Sequence, residues 1–286
     1  MRIANTAHAA FAITMIGVGI VGIVNRDLMP VWNPIPGTGS AHELLIYCGV
    51  GVSLLSGIGL LVQRTAAMAA RLLLATFLIW MVLFRLPNFF RAPLFAACWS
   101  VFPLAVMLSA AMVLYVRFST DWDHEHFRLI SSVSGLRIAR IIYGLSLIFF
   151  GVAHFIDVKD TISLVPNWMP GHLFWAYFTG CAFIVAGISV IIGVFARLAA
   201  VLSAVQIALF LFLVWIPIVA AGSKVPFQWS ETFLNTALLA GAWVIADSYR
   251  GTAWAHPRSI RVPPHGQNEW KRMQPSQCHN VRADCR

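Results

Sequence analysis

The chain has 286 residues, of which 59% are hydrophobic and 11% are charged, and its mean hydropathy is +0.77. A soluble globular domain carries roughly 25% charged residues. This composition therefore excludes an ordinary soluble domain and predicts a lipid bilayer as the surroundings. The net charge of +9 does not indicate a nucleic-acid partner, because most basic residues flank apolar stretches or lie near the C-terminus, as topology signals do.

Eight apolar stretches approach the length of about 20 residues that a membrane-spanning helix needs. In chain order they cover residues 8–25, 42–62, 66–86, 96–116, 138–156, 172–194, 198–220 and 230–247. The first stretch follows one Arg, as a signal peptide would, but it has no clear small-residue cleavage site and matches the fifth stretch by position. We therefore interpret it as a retained first helix. The expected fold class is all-α and integral to the membrane, with eight transmembrane helices.

The chain repeats itself at two nearby offsets. At an offset of 130 residues, His42 falls on His172 and Tyr47 on Tyr177, and at 136 the motif Pro-x-Trp-x-Pro around Trp32 falls on that around Trp168. The offsets differ because the loop after the first motif is longer. Four helices return the chain to its starting side, so we expect two parallel four-helix-bundle repeats rather than inverted ones. The predicted boundaries are 1–116 and 137–247 for the repeats, 117–136 for a polar connector, and 248–286 for a disordered basic tail.

Basic residues predict the orientation of the chain. Five of the 20 Lys and Arg residues lie on the side of the two Pro-x-Trp-x-Pro loops: Arg26, Arg85, Arg91, Lys159 and Lys224. The others lie on the side of the termini. The positive-inside rule therefore places both termini in the cytoplasm, in what we expect to be a bacterial inner (plasma) membrane.

Candidate ligand-binding residues gather near the predicted extracytoplasmic helix ends. The second repeat contributes His154, Trp168, His172, Tyr177 and Glu231, and the first contributes His42, Trp32 and Tyr47. A His beside a Tyr suits a quinone headgroup, and Trp prefers headgroup depth. Two interpretations stay open: an aromatic belt in which Pro87 and Pro217 end the third and seventh helices, or a cavity with pseudo-twofold symmetry.

Histidines also raise the question of a metal or haem. His42, His154 and His172 would suit zinc, copper or haem iron if they met. Only His154 lies clearly within a span, and its counterpart at the offset of 136 is Val18, so the pattern disfavours haem and a metal site. It favours a structural or hydrogen-bonding histidine. No hydrolase elbow, P-loop, dinucleotide fingerprint or HExxH motif is present, so the sequence favours a non-enzymatic role without deciding it.

The second repeat resembles the DoxX-like family of small four-helix membrane proteins. The resemblance rests on Gly144-x6-Gly151-x2-His154-Phe155, Val165-Pro166-x-Trp168-x-Pro170, Tyr177-x2-Gly180-x6-Gly187 and Arg197-Leu198-Ala199-Ala200, and residues 229–247 resemble the last helix of the family. A Glu that such proteins often carry three residues after the Gly180 position is Phe183 here and Ser53 in the first repeat. The resemblance implies a redox accessory role, because the family is associated with quinol oxidation and thiosulfate:quinone chemistry.

Three functions remain open from the sequence. The first is a redox-associated accessory subunit that binds a quinone or another lipid-like ligand near the outer leaflet, with a membrane redox complex as partner. The second is a small-solute or lipid transporter, because duplicated bundles can rock about a shared site. The third is a purely structural partner of a membrane complex. The sequence does not define the oligomeric state.

Overall fold

The structure is a computed structural model, and it describes residues 6–26 and 29–254. The prediction of an all-α fold is confirmed, since the described residues form helices and no β-strand. The helices are α1 Thr6–Val24, α2 Gly39–Leu61, α3 Ala66–Trp80, α4 Leu94–Phe118, α5 Asp121–His126, α6 Val133–Ile156, α7 Val158–Leu164, α8 His172–Ile192, α9 Ala196–Phe210, α10 Ile216–Ala220 and α11 Pro226–Asp247.

Seven helical stretches in the described part of the chain are long and apolar enough to cross a membrane. They correspond to the first seven predicted spans. The eighth long helix, α11, has 22 residues but lies outside this set. Its first half carries Gln228, Glu231 and Asn235, which lower its apolar character. The count of eight spans therefore stays a prediction.

The prediction that Pro87 and Pro217 end their helices is wrong. The helical path continues through both prolines, so that the spans run over Ala66–Phe90 and Ala196–Ala220. A π-helical turn precedes each proline, at Met81–Arg85 and at Leu211–Trp215. Proline lacks an N–H, and its ring clashes with the carbonyl four residues earlier in a regular α-helix. A π turn opens the helix locally, which lets the chain pass the proline without stopping.

The long helices form two arcs that meet in one core. In the first half α1 packs on α2, α2 on α3 and α3 on α4, and in the second half α6 packs on α8, α8 on α9 and α9 on α11. The arcs join where α4 contacts α6 and α11, and where α1 contacts α11. If α4 corresponds to α11 and α1 to α6, a pseudo-twofold axis between α4 and α11 would relate the α4–α6 junction to the α11–α1 junction.

Glycines allow the closest helix approaches in both halves, as small residues do between membrane helices. A Cβ on Gly57 would lie 2.8 Å from the Ala12 oxygen, and one on Gly187 would lie 2.5 Å from the Gly144 oxygen. These contacts match α1 to α6 at an offset of 132 residues. By packing, the counterpart of His154 is therefore Gly22 and not Val18. The offset of 136 applies to the Pro-x-Trp-x-Pro loops and not to these helices, because the connections after the helices differ in length.

The helices have two ends, which we name from the loops there. The PxWxP end carries residues 30–34 and 166–170, and the connector end carries residues 119–132 and the end of α11. At the connector end an ion pair joins the two halves, with Arg117 Nη1 3.1 Å from Asp247 Oδ2. These two residues are themselves counterparts at the offset of 130. Opposite charges at these matching positions of α4 and α11 thus join the two arcs at the connector end.

The connector folds onto the first half. The Asp123 carboxylate is fully buried and accepts hydrogen bonds from Arg71 Nε at 2.8 Å, Tyr115 Oη at 2.9 Å and the Thr120 backbone N–H at 2.7 Å. Burial alone would raise the pKa of this carboxyl, but these hydrogen bonds outweigh burial and hold the pKa well below its usual range.

The first residues of the predicted tail pack on the second half. The Arg140 guanidinium lies 3.7 Å from the centre of the Tyr249 ring, and Arg197 lies 3.9 Å from the centre of the Trp254 ring. Such contacts are cation–π interactions. The remainder of the predicted disordered tail, 255–286, lies outside the described residues.

Candidate functional site

The Pro-x-Trp-x-Pro loop of the first half inserts its tryptophan into the bundle. Trp32 has no exposed surface, and its indole Nε1 donates to Ser53 Oγ at 2.9 Å. The ring packs against Phe77 and against the edge of Trp80, with ring centres 5.2 and 5.1 Å away. Trp32 is therefore a core residue of the first half and not part of an aromatic belt.

Arg85 clamps this loop from the π turn that follows α3. Its side chain is 1% exposed, and its guanidinium donates to the backbone oxygens of Trp32 at 2.7 Å, of Pro34 at 3.3 Å and of Asn33. The described residues provide no carboxylate that pairs with it. A buried cation is costly without partners, so Arg85 needs the three carbonyl oxygens, and the loop in turn is held in place by Arg85. We call this set of hydrogen bonds the clamp.

The second half lacks the clamp, and its loop is arranged differently. The counterpart of Arg85 is Trp215, which has one ring donor and cannot hold three carbonyls. The loop is anchored instead by Trp175, whose Nε1 donates to the Pro170 oxygen at 3.1 Å. Trp168 is 70% exposed, whereas its counterpart Trp32 is wholly buried. The two halves thus differ most at the PxWxP end.

His154 occupies the interior of the second half. It lies in the last turn of α6 and faces α8 and α9, where its ring centre is 5.6 Å from that of Phe183 and 5.7 Å from that of Phe210. A Cβ on Gly180 would lie 3.0 Å from the Cβ of His154, so α6 and α8 approach closely here. Its Nδ1 lies 2.7 Å from the Phe150 backbone oxygen. The prediction of a hydrogen-bonding histidine within a span agrees with this geometry.

The first half fills the equivalent space with its own side chains. Gly22 stands at the His154 position, and a Cβ there would lie 2.2 Å from Met29 Sδ. Ser53 stands at the Phe183 position, where it accepts the indole hydrogen of Trp32. The first half therefore uses Met29 and Trp32 as a plug, while the second half has an imidazole between two phenyl rings.

In the described part of the chain, no hydrogen bond or ring contact joins His154 to the other candidate residues. His172 is half-buried at the first residue of α8, and Tyr177 is 43% exposed and stacks on Phe155 with ring centres 5.6 Å apart. Glu231 is half-buried in the second turn of α11, and its backbone oxygen accepts from Asn235 Nδ2 at 3.2 Å. These residues all lie on helices near the PxWxP end.

The remaining first-half candidates are separate from Trp32. Tyr47 is 53% exposed and lies beneath Arg26, whose guanidinium carbon is 5.4 Å from the ring centre. His42 is half-buried in the first turn of α2, with a sealed Nδ1 that has no hydrogen-bond partner. Among the described residues, no three His, Cys, Asp or Glu side chains gather in a way that could hold a metal ion.

Two features of the structure were not predicted from the sequence. Arg85 carried a signal, because a charge inside a predicted span is rare and is a functional or structural residue by default. The second feature is a cavity at the connector end, between α1, α4, α6 and α11, which His8, Arg117 and Asp247 help to line. It had no sequence signal, because its walls come from four helices that are distant along the chain.

Comparison with known proteins identifies the second half. The family model described as DoxX matches residues 135–215, from the start of α6 to the π turn after α9. The predicted resemblance to the DoxX-like family is therefore confirmed for this part of the chain. No curated protein and no solved structure matches the chain significantly. Together with the long apolar helices, the match identifies the chain as an integral membrane protein.

Proposed function

We propose that this membrane protein is a redox-associated accessory subunit whose DoxX-matched half binds a quinone or a similar lipid-like ring at His154. One observation carries the proposal. The imidazole lies inside the second half with one nitrogen held by the backbone, at the place that the first half plugs with Trp32 and Met29. The first half then serves as a closed scaffold, and the second as the ligand-binding copy.

The surroundings of His154 suit a ring-shaped, lipid-soluble ligand. Phe183 and Phe210 offer apolar ring faces, and binding sites for small molecules combine such walls with a few placed polar groups. His154 is partly exposed, so a ligand can approach from the bilayer between the helices. Trp168, His172, Tyr177 and Glu231 would then form the polar and aromatic rim on the path to His154.

The duplication and the orientation are part of the proposal. The matched glycine contacts, the matched π turns and the paired junctions of the arcs support two parallel repeats. The distribution of Lys and Arg supports cytoplasmic termini. The connector end would then face the cytoplasm of a bacterial cell, and His154 would lie near the outer leaflet of the inner membrane.

Ligand titration tests the proposed site. The protein is reconstituted in nanodiscs, and intrinsic Trp fluorescence is followed in separate titrations with decylubiquinone and with its reduced form, decylubiquinol. Trp99 is a suitable reporter, because its ring centre is 6.3 Å from that of Phe150, whose backbone holds His154. We expect a saturable change that His154→Ala removes. The matched control is His42→Ala, which also alters a histidine at the PxWxP end and should leave the change intact.

Two outcomes would contradict this site. The wild type could show no saturable change with either form, or His154→Ala and His42→Ala could reduce the change equally. Partnership is tested separately by affinity purification from native membranes, where we expect a redox enzyme to copurify with the wild type and with His154→Ala alike. Copurification without ligand binding would favour a structural partner over a ligand-binding subunit.

A second candidate, a small-solute or lipid transporter, is supported by the matched π turns. Interrupted helices at corresponding positions of two repeats are typical of transporters, and π turns are frequent at functional sites. Flux assays in proteoliposomes distinguish this candidate, because an accessory subunit should not raise the permeability of the vesicle to solutes or the rate of lipid exchange between leaflets.

A further inference from the structure

The hydrogen bond between His154 and Phe150 determines which ring nitrogen carries the proton. A backbone carbonyl oxygen only accepts hydrogen bonds. Because Nδ1 lies 2.7 Å from this oxygen, Nδ1 must carry the hydrogen and donate it. In the neutral imidazole, Nε2 is then a lone-pair acceptor.

The surroundings of the ring keep the imidazole neutral. Its ring neighbours are Phe183 and Phe210, and the described residues provide no ion pair for it. A charged group in such apolar surroundings is costly, and no carboxylate offsets that cost. Among the described residues, none donates a hydrogen bond to Nε2. Unlike Nδ1 of His42, which is fully enclosed, Nε2 of His154 has accessible surface. The site therefore presents one accessible acceptor.

We infer that the ligand bound at His154 is a hydrogen-bond donor, namely a phenol or a hydroquinone with a lipid-like tail. Its hydroxyl donates to Nε2, and its ring packs against Phe183 and Phe210. The inference rests on the proposed function and selects among the ligands that the proposal allows. A fully oxidised quinone headgroup has carbonyl acceptors only, so two acceptors would face each other and both would lose their partners.

A matched pair of probes tests this inference without redox chemistry. 4-Hexylphenol and 4-hexylanisole differ in one methyl group on oxygen, which removes the donor and retains the ring and the tail. Binding to the protein in nanodiscs is measured for both, and His154→Ala nanodiscs give the background of partitioning into lipid. In the wild type we expect the phenol to bind more tightly, on the order of tenfold or more.

A second substitution keeps the inference testable if His154→Ala disturbs the fold. The amide of His154→Gln can both donate and accept, so this variant should bind decylubiquinone and its reduced form within a few-fold of each other, whereas the wild type should prefer the reduced form. Equal affinities for phenol and anisole in the wild type, or a preference for the oxidised quinone, would overturn the inference and leave the site in place. No His154-dependent binding of any probe would overturn the proposed function itself.

Discussion

The clamp on the first-half loop gives a prediction that can be worked from the structure. In Arg85→Met an unbranched apolar stem is retained, but all donors to the loop are lost. The Trp32 oxygen keeps the bond from Trp80 Nε1 at 3.1 Å, whereas the Asn33 and Pro34 oxygens lose their guanidinium partner. An orphaned carbonyl costs about 1–3 kcal/mol when it is fully buried, and these two oxygens are only part-buried. Loss of the buried charge offsets part of the cost.

We therefore expect Arg85→Met to lower the free energy of unfolding by about 1–3 kcal/mol. For a chain of this size, that loss corresponds to a fall in the melting temperature of roughly 2–10 °C. Thermal melts in detergent measure the loss of stability. Hydrogen–deuterium exchange reports whether the loop is released, and we expect faster exchange in the peptide that covers residues 29–36.

The matched control for Arg85→Met is Trp215→Met, at the equivalent position of the second half. Trp215 is buried, so this substitution should also lower the melting temperature through lost packing. It should not change exchange in residues 29–36, because it does not touch the first-half loop. Unchanged exchange in Arg85→Met would refute the clamp, even if the melting temperature fell.

Further substitutions test the interface, the connector and the topology. Arg117→Asp alone should destabilise the protein, and adding Asp247→Arg should recover part of the loss. A double-mutant cycle of melting data should give a coupling of about 0.5–3 kcal/mol. No coupling would contradict the ion pair between the halves. Asp123→Ala should cost about 3 kcal/mol at neutral pH, and the stabilisation by Asp123 should persist above the unfolded carboxyl pKa of about 4 and disappear as the pH falls through the lower folded value. Asp123→Asn removes the titrating carboxyl, so the acid-dependent loss of stability that Asp123 causes should be absent from this variant. If the wild type and Asp123→Asn lost stability over the same acidic range, the lowered pKa would be contradicted. In a cysteine-free background, Thr38→Cys should react with a membrane-impermeant maleimide in spheroplasts and Glu125→Cys only after permeabilisation; the reverse pattern would contradict cytoplasmic termini.

Local sequence patterns predicted most of the helical framework. Apolar stretches and their flanking charges gave seven spans to within a few residues, because lipid requires each span to satisfy its own backbone. The orientation of His154 toward the bundle interior was not predicted, although the glycine spacing carried a signal for it. Gly151 and Gly180 face each other, and His154 lies one turn after Gly151 on the same face of α6.

The contrast between Trp32 and Trp168 could not be predicted from the motif that they share. Both lie in a Pro-x-Trp-x-Pro loop, yet one is buried and the other is 70% exposed. The difference depends on Arg85, which lies some fifty residues further along the chain and reaches the first-half loop only in the folded bundle. Trp215 at the matching position of the second half cannot hold three carbonyls in this way. The π turns were missed for a related reason, since a proline indicates a break in a regular helix but not how the chain accommodates it.

We proposed that Trp32 and Met29 plug the first half and that the second half binds a ligand at His154, and this asymmetry is most directly tested by mapping where a ligand binds. A photoreactive azidophenol with an alkyl tail is irradiated with the reconstituted protein, and labelled peptides are identified by mass spectrometry. The account predicts labels on the parts of α6, α8 and α9 around His154, Phe183 and Phe210, with loss of these labels in excess 4-hexylphenol. Labels of equal intensity around Gly22, Ser53 and Trp80, or labels that excess phenol does not displace, would contradict it.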